Sequence, residues 1–187
     1  MPKPRDTTEI ISFKANLYKI DSWTILRLPE NASSKLPSRG QVIVEGTFNG
    51  TNFQTPLEPD GRFSHWFKVD TDLLKETDTA IGDAVELAIK PIKEWPVPEL
   101  PADLQNALSA NPPAYDLWQR ITPMSRWEWI RWIRSTGKSE TRKKRIDVAI
   151  SKLNAGKRRP CCWNRNLCTI PEVSKRGLLL QPTPTAR

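Results

Sequence analysis

The sequence has a single histidine, His65, and only three cysteines, all between positions 161 and 168. A disulfide scaffold would spread its cysteines through the chain, so the cysteine pattern favours the cytoplasm. No stretch approaches the roughly 20 apolar residues that a spanning helix needs. Residues 1–9 carry charges of both signs and no apolar run, so we expect no signal peptide and no transmembrane segment.

Recognisable catalytic and cofactor motifs are also missing. Neither of the two glycine-rich phosphate loops, G-x-G-x-x-G and G-x-x-x-x-G-K-[ST], occurs in the sequence. His65 has no identifiable triad partner, and the surrounding Asp60-Gly61 turn, Phe63 and Trp66 favour a packed or surface strand histidine. No pair of carboxylates suits a general acid and base. The sequence therefore favours a protein that is not an enzyme and that carries no cofactor.

The cysteines do not fit a metal site either. A structural zinc site uses four ligands, usually with cysteines in C-x₂₋₄-C pairs. Cys161 and Cys162 are adjacent, and five residues separate them from Cys168. We interpret these residues as ordinary thiols and expect no bound metal, although basic neighbours such as Arg159 would lower a thiol pKa.

Charge is distributed unevenly along the chain. Residues 1–95 contain 12 basic and 14 acidic residues, whereas residues 96–187 contain 17 basic and 7 acidic residues. Such an asymmetry between halves suggests that the second half meets an anionic ligand or macromolecule. A solvated basic surface with no partner is the alternative. Nothing in the sequence indicates an oligomeric state.

The first half contains short segments of alternating apolar and polar residues, which predict β-strands. These segments span residues 10–17, 23–28, 41–48, 53–57, 63–69 and 84–90, with a short helix over 73–77. Asn49-Gly50 is a strong signal for a two-residue hairpin between two of the strands. The spacing of strands and turns predicts a small β-barrel over residues 8–92.

Prolines 91, 96, 98 and 101 predict an extended linker over residues 93–100. Beyond it, apolar residues recur at helical spacing between capping residues, which predicts about four short helices over residues 101–160. The expected fold class is α+β, a small N-terminal β-barrel followed by a compact C-terminal helical bundle. Residues 161–187 form a cysteine-containing segment and a flexible tail, with no regular structure expected beyond Gln181.

Both halves resemble known bacterial families. The first half resembles a bacterial domain of unknown function that often precedes a helical domain; the matching positions are Phe13, Trp23, Leu28-Pro29, 42–46, Asn49-Gly50, Leu57, Pro59, Gly61, His65, Gly82-Asp83 and Val85. The second half resembles the YdeI/OmpD-associated (bacteriocin-protection) helical family; the matching positions are Pro101, Asp103-Leu104, Ala107-Leu108, Ala114, Thr122-Pro123, Ser125, Trp132-Ile133, Lys138, Thr141-Arg142, Arg145-Ile146, Leu153 and Gly156-Lys157.

Together the two resemblances cover about residues 10–160 and leave the segment from Cys161 onward outside. The second resemblance implies a link to resistance against bacteriocins or cationic peptides and to an outer-membrane porin. It implies no catalytic residue.

One face of the last predicted helix is basic. Positions 138, 142 and 145 are separated by four and three residues, so they share a helix face at the edge of its apolar stripe. This face predicts an anion-binding site made of Lys138, Ser139, Thr141, Arg142 and Arg145, with Ser139 as the helix cap. The alternative is structural: Arg142 pairs with Glu128 or Asp103 inside the bundle.

Tryptophans accompany this basic segment. Trp127 shares the apolar stripe of the third helix with Ile130, which predicts a core position. Trp129 and Trp132 lie on a neighbouring face, where an exposed indole would stack on a nucleic-acid base. The leading interpretation is a non-enzymatic binding or stress-protection protein that contacts an anionic partner through its basic helical half. The alternatives are a nucleic-acid-binding protein and an enzyme with an unrecognised site between its domains.

Overall fold

The computed structural model describes residues 9–182 of the 187-residue chain. The described chain divides into two compact units, one of residues 9–94, 165–168 and 172–182 and the other of residues 95–164 and 169–171. The first unit contains β1 (Ile11–Ile20), β2 (Trp23–Arg27), α1 (Glu30–Ser33), β3 (Val42–Phe48), β4 (Thr51–Pro59), β5 (His65–Lys68), α2 (Thr71–Glu76), β6 (Ala84–Pro91), β7 (Ser174–Lys175) and β8 (Leu178–Leu179).

Strands β1 to β6 form a closed barrel in the order β1-β2-β5-β4-β3-β6, which confirms the predicted β-barrel. Every neighbouring pair is antiparallel. Asn49 and Gly50 have φ angles of 46° and 84°, the positive values that a type I′ turn requires. They bring Phe48 opposite Thr51, so two residues set the register of the whole β3–β4 hairpin. The predicted first residue of the barrel, residue 8, lies outside the described residues.

The barrel interior is filled by alternate side chains of each strand. Val42, Val44 and Phe48 of β3 point into this core and are almost completely buried. Between them lies Gly46, where a β-carbon would overlap the carbonyl oxygen of Ala88 on β6. Glycine therefore permits β3 and β6 to approach closely enough for the barrel to close on a narrow core.

Two features of the barrel were not predicted. The helix α1, Glu30–Ser33, is only four residues long and is too short to give a periodic signal in the sequence. Strand β1 continues to Ile20 instead of ending at Leu17, because Tyr18, Lys19 and Ile20 pair with β2. In α1, the residues Ala32 and Ser33 are buried against the rest of the barrel unit.

The C-terminal segment contains regular structure before Gln181 that the sequence did not predict. Strands β7 and β8 form a hairpin that bonds to the turn between β4 and β5. The amide of Leu179 donates to the carbonyl of Asp60 at 2.9 Å, and Arg62 Nη1 donates to the carbonyl of Leu179 at 2.7 Å. These long-range bonds order residues that have little apolar content of their own. Residues 183–187, for which no regular structure was expected, lie outside the described residues.

The second unit contains α3 (Ala102–Ser109), α4 (Pro112–Arg120), α5 (Pro123–Arg134) and α6 (Ser139–Asn154), which confirms the predicted bundle of four short helices. Thr122 caps α5 by accepting a hydrogen bond from the amide of Ser125, and Pro123 occupies the first helical position. The core is lined by residues that include Leu104, Leu108 and Ile146. No helix among residues 9–182 is long and apolar enough to cross a membrane.

The buried face of α5 is wider than the predicted stripe. Ile130 and Ile133 are buried as expected, but Trp129 and Arg131 are buried as well, and Trp127 is only partly buried. The Trp127 indole donates to the carbonyl of Pro96 at 2.8 Å instead of entering the core. Helical spacing identifies the buried face of α5 correctly. It does not indicate how much of the helix circumference the neighbouring helices cover, so it does not predict the width of that face.

Candidate functional site

The predicted anion-binding residues meet at the first two turns of α6. The predicted cap, Ser139, is instead the first residue of the helix, and Lys138 is the N-cap residue, so α6 begins one position earlier than the sequence suggested. No side chain at the cap position accepts a hydrogen bond from the first-turn amides. Lys138 and Ser139 are exposed, and Thr141 is partly buried. This end of α6 therefore presents Lys138 and helix-end amides to solvent, and the acidic residue of its first turn, Glu140, is paired with Lys144.

Arg142 is bound to Asp103 of α3. Its Nε and Nη2 donate to the two carboxylate oxygens of Asp103 at 2.6 and 2.9 Å, a bidentate ion pair. The hydrogen bonds from Arg142 hold the pKa of Asp103 below its ordinary value, and the same contact raises the pKa of Arg142. Of the two structural partners considered from the sequence, the observed one is Asp103.

Arg145 interacts with the C-terminal end of α5. Its Nη1 donates to the carbonyl of Trp132 at 2.7 Å and to the hydroxyl of Ser135 at 2.5 Å. The guanidinium carbon lies 5.6 Å from the centre of the Trp132 ring. A cation at this position satisfies the last carbonyl groups of α5 and favours its helix dipole. Partial burial lowers the pKa of Arg145, as desolvation disfavours its charged form.

The remaining cations of α6 are more exposed. Lys144 pairs with Glu140 on the same helix at 3.1 Å. Lys143 is exposed on the side away from Arg142 and Arg145. Among the described residues, no side-chain hydrogen bond or ion pair is seen for Lys138. The basic face thus contains two arginines that join helices and at least one lysine that is available to a partner.

The two tryptophans considered for stacking are not exposed. Trp129 is completely buried and donates its indole N–H to the carbonyl of Arg158 at 3.1 Å. Trp132 is partly buried between the edge of Trp129, 6.0 Å away between ring centres, and the guanidinium of Arg145. All eight tryptophans lie within the described residues, and none is in the exposed class. Complete burial closes both faces of the Trp129 indole to a nucleic-acid base, and partial burial limits the access to Trp132.

Arg131 is a polar residue of the helical unit that sequence reasoning missed. Its side chain is 1% exposed, and its guanidinium carbon lies 5.2 Å from the centre of the Trp163 ring. A buried arginine requires charge or hydrogen-bond partners. Position 131 follows Ile130 in the sequence and so lies at the margin of the apolar stripe, which gives no signal of burial by itself.

His65 is buried inside the barrel unit. Its Nε2 lies 2.8 Å from the carbonyl of Gly40, which only accepts, so Nε2 carries the proton. The neutral ring then accepts at Nδ1 from the hydroxyl of Ser33, 2.7 Å away. Burial lowers the pKa of His65. The ring joins α1, the loop before β3 and strand β5, so of the two predicted alternatives, packed or surface, the packed one is observed.

The barrel unit also has an open groove on its surface. One barrel groove, with a volume of about 510 Å³, is lined by Gly46, Phe53 and Ile89 among others, and its only ionisable residues are Glu45 and Lys90. Those two pair with each other at 3.1 Å. Within residues 9–182, no group of three or more His, Cys, Asp or Glu side chains is arranged to hold a metal ion.

Comparison with known proteins gives a family for each unit. Residues 97–156 match the family model described as bacteriocin-protection, YdeI or OmpD-associated. Residues 7–89 match the model of a domain of unknown function, DUF1905. No curated protein matches the sequence significantly. The chain therefore contains a segment that matches DUF1905, followed by a helical segment that matches the YdeI/OmpD-associated bacteriocin-protection family.

Proposed function

We propose that the protein acts by binding and not by catalysis, and that its helical domain contacts an anionic partner through the N-terminal end of α6. The observation that supports this most directly is the exposed first turn of α6, where Lys138 lies beside helix amides that lack a side-chain cap. Residues 95–164 contain 13 basic and 6 acidic residues, so long-range attraction acts in the same direction.

The five residues of this site have different roles in the proposal. Arg142 and Arg145 fix α6 against Asp103 and against the end of α5, so they position the site. Lys138, Ser139 and Thr141 supply the charge and the hydroxyl donors that contact the anion. In this proposal the anion binds at the margin of the bundle, beside the two partly buried arginines, where charge-assisted hydrogen bonds are less screened than in open solvent.

A substitution of Lys138 tests binding without affecting folding, because its side chain is exposed and forms no hydrogen bond or ion pair with another helix or strand among the described residues. We expect Lys138→Glu to weaken binding of inorganic polyphosphate by about tenfold while the melting temperature stays unchanged. Lys143→Glu is the matched control: it makes the same charge change on the same helix, away from the site, and should weaken binding by only about twofold. If the two substitutions weaken polyphosphate binding equally, the anion is attracted by a diffuse basic surface, and the proposed site is wrong.

The arginines give a second test. Arg142→Gln with Arg145→Gln should weaken polyphosphate binding, and circular dichroism would show whether the bundle remains folded. If the folded double variant binds as tightly as the original protein, the arginines do not position an anion. If the variant loses helix content, the Asp103 pair is structural and Lys138→Glu alone decides the proposal.

The nucleic-acid alternative is less well supported, because it depends on indole stacking. Partly buried Trp132 and fully buried Trp129 are poor stacking surfaces. Binding to a deoxythymidine oligonucleotide and to polyphosphate of equal charge distinguishes the two ideas. A partner recognised through charge alone predicts equal affinities and equal salt dependence, whereas base stacking adds affinity for the oligonucleotide.

The family description suggests the biological role that this binding serves. We propose that the protein helps bacterial cells to withstand bacteriocins. Bacteria that overproduce the protein should survive a bacteriocin better than control cells, and Lys138→Glu should remove the advantage while Lys143→Glu retains it. Equal survival of all strains would contradict the protective role without affecting the binding measured with polyphosphate.

A further inference from the structure

A lysine and two cysteines meet at the end of α6. The cysteines lie outside the segments matched by the two family models, whereas the lysine lies within residues 97–156. Lys152 belongs to the last turn of the helix, and its Nζ lies 2.9 Å from the sulfur of Cys161. Cys161 and Cys162 are both exposed. Cys162 has a φ of 61°, so the backbone turns sharply between the two thiols.

This arrangement favours the thiolate of Cys161. The hydrogen bond from Lys152 lowers the pKa of Cys161, and a hydrogen bond from the Cys162 thiol lowers it further. Lys157, Arg158 and Arg159 precede the cysteines and are exposed, so the local potential is positive. Reactive cysteines are typically exposed thiols beside cationic groups. Cys168 offers an internal contrast, because it is buried.

We propose that Cys161 and Cys162 form a reversible redox site for small hydroperoxides, in which Cys161 is the nucleophile, Lys152 its activating partner and Cys162 the resolving thiol. In the first step the Cys161 thiolate attacks one peroxide oxygen and the O–O bond breaks. Cys161 becomes a sulfenic acid, the peroxide is reduced to an alcohol or water, and the leaving oxygen takes a proton from the Lys152 ammonium, which solvent restores.

In the second step the sulfur of Cys162 attacks the sulfenic sulfur of Cys161. A disulfide forms between the adjacent residues, the S–OH bond breaks, and the hydroxyl leaves as water with the Cys162 proton. The ring that closes contains the intervening peptide bond and is strained. Strained, exposed disulfides are readily reduced, so thiols return the pair to its starting state.

Mass spectrometry of the full-length protein tests the proposal. After reduction and brief treatment with hydrogen peroxide, the peptide that contains Cys161 and Cys162 should be lighter by two hydrogen atoms, and dithiothreitol should reverse the change. Cys162→Ser should stop at the sulfenic acid, which dimedone traps on residue 161. Cys161→Ser should give neither product. A disulfide-linked dimer in place of the internal bond would overturn the role of Cys162.

The role of Lys152 is tested by the rate of oxidation. Lys152→Met should slow the formation of the disulfide by about threefold and move the pH profile of Cys161 alkylation upward, because the thiolate loses its partner. Lys143→Met removes one charge from the same helix without touching the thiols and should leave both unchanged. Equal rates in the two variants, or oxidation of Cys168 before Cys161, would overturn the assignment.

Discussion

Gly61 and Gly177 approach so closely that a β-carbon on Gly61 would overlap the carbonyl oxygen of Gly177. Both residues have positive φ angles, 78° in each case, which glycine adopts without strain. Leu178 follows Gly177 in the C-terminal hairpin and also lies within contact distance of Gly61. The β4–β5 turn and the turn of the C-terminal hairpin are therefore in backbone contact. Neither Gly61 nor Gly177 has room for a side chain.

We expect Gly61→Ala to lower the free energy of unfolding by about 3 kcal/mol, because it adds a steric overlap to a left-handed backbone. Gly50→Ala is the matched control: its φ is 84° but the space around it is open, so only about 1 kcal/mol should be lost. Urea unfolding measures the free energy of unfolding of the two variants. Gly61→Ala should also expose residues 172–182 to proteolysis, and equal losses in the two variants would contradict the close approach.

The buried histidine predicts a loss of stability in mild acid. Since burial lowers the folded-state pKa of His65 below 6.5, the unfolded chain binds the proton more tightly. The contribution of His65 is complete above pH 6.5 and is lost as the pH falls toward the lower folded value. The ring can be titrated by NMR without ambiguity, because it is the only histidine. A folded-state pKa at or above 6.5 would refute the assigned neutral ring.

Tyr18 predicts the opposite behaviour in alkali. Burial raises the pKa of Tyr18 to about 12, against an ordinary value of 10.0. The folded state therefore keeps the phenol protonated, and this contribution is lost as the pH rises from 10 through the folded value. Ultraviolet titration should show a late-ionising tyrosine in the original protein and none in Tyr18→Phe. If the late-ionising group is still seen in Tyr18→Phe, that group is not Tyr18 and the prediction is wrong.

The Asp103–Arg142 pair should contribute modestly to stability, because its side chains are 46% and 27% exposed. A double-mutant cycle of Asp103→Asn and Arg142→Gln should give a coupling energy of about 0.5–1 kcal/mol, reduced by salt. The depressed pKa of Asp103 means that this coupling is lost as the pH falls through that lower value, below 3.8. A coupling that persists in strong acid would show that the pair is not held by charge.

Local signals in the sequence predicted much of the fold. Asn49-Gly50 fixes the β3–β4 register with two residues, and Thr122-Pro123 fixes the start of α5, because each depends on backbone geometry within a few positions. The β7–β8 hairpin had no such signal. Arg62 and Leu179 are 117 positions apart, and the bond between them orders a segment that is polar in sequence.

The site was predictable only in part for the same reason. Helical spacing brought Lys138, Arg142 and Arg145 to one region of α6, as the structure shows. The partner of Arg142 could not be chosen, because Asp103 lies 39 positions away and reaches it only after α3 packs. The burial of Trp129 likewise depends on the segment after α6, whose Arg158 carbonyl accepts its indole N–H.

The hairpin that bonds to Asp60 and Arg62 makes the barrel unit discontinuous in sequence, with the helical unit inserted between its two portions. During synthesis the strands of the barrel emerge first, while the residues that complete the unit emerge only after some 70 further residues have been made. All six strands of the barrel are therefore made before the hairpin that bonds to its β4–β5 turn. Docking of the hairpin on that turn is a late, long-range event in folding, and a chain truncated before residue 172 would leave Gly61 without its contact to Gly177.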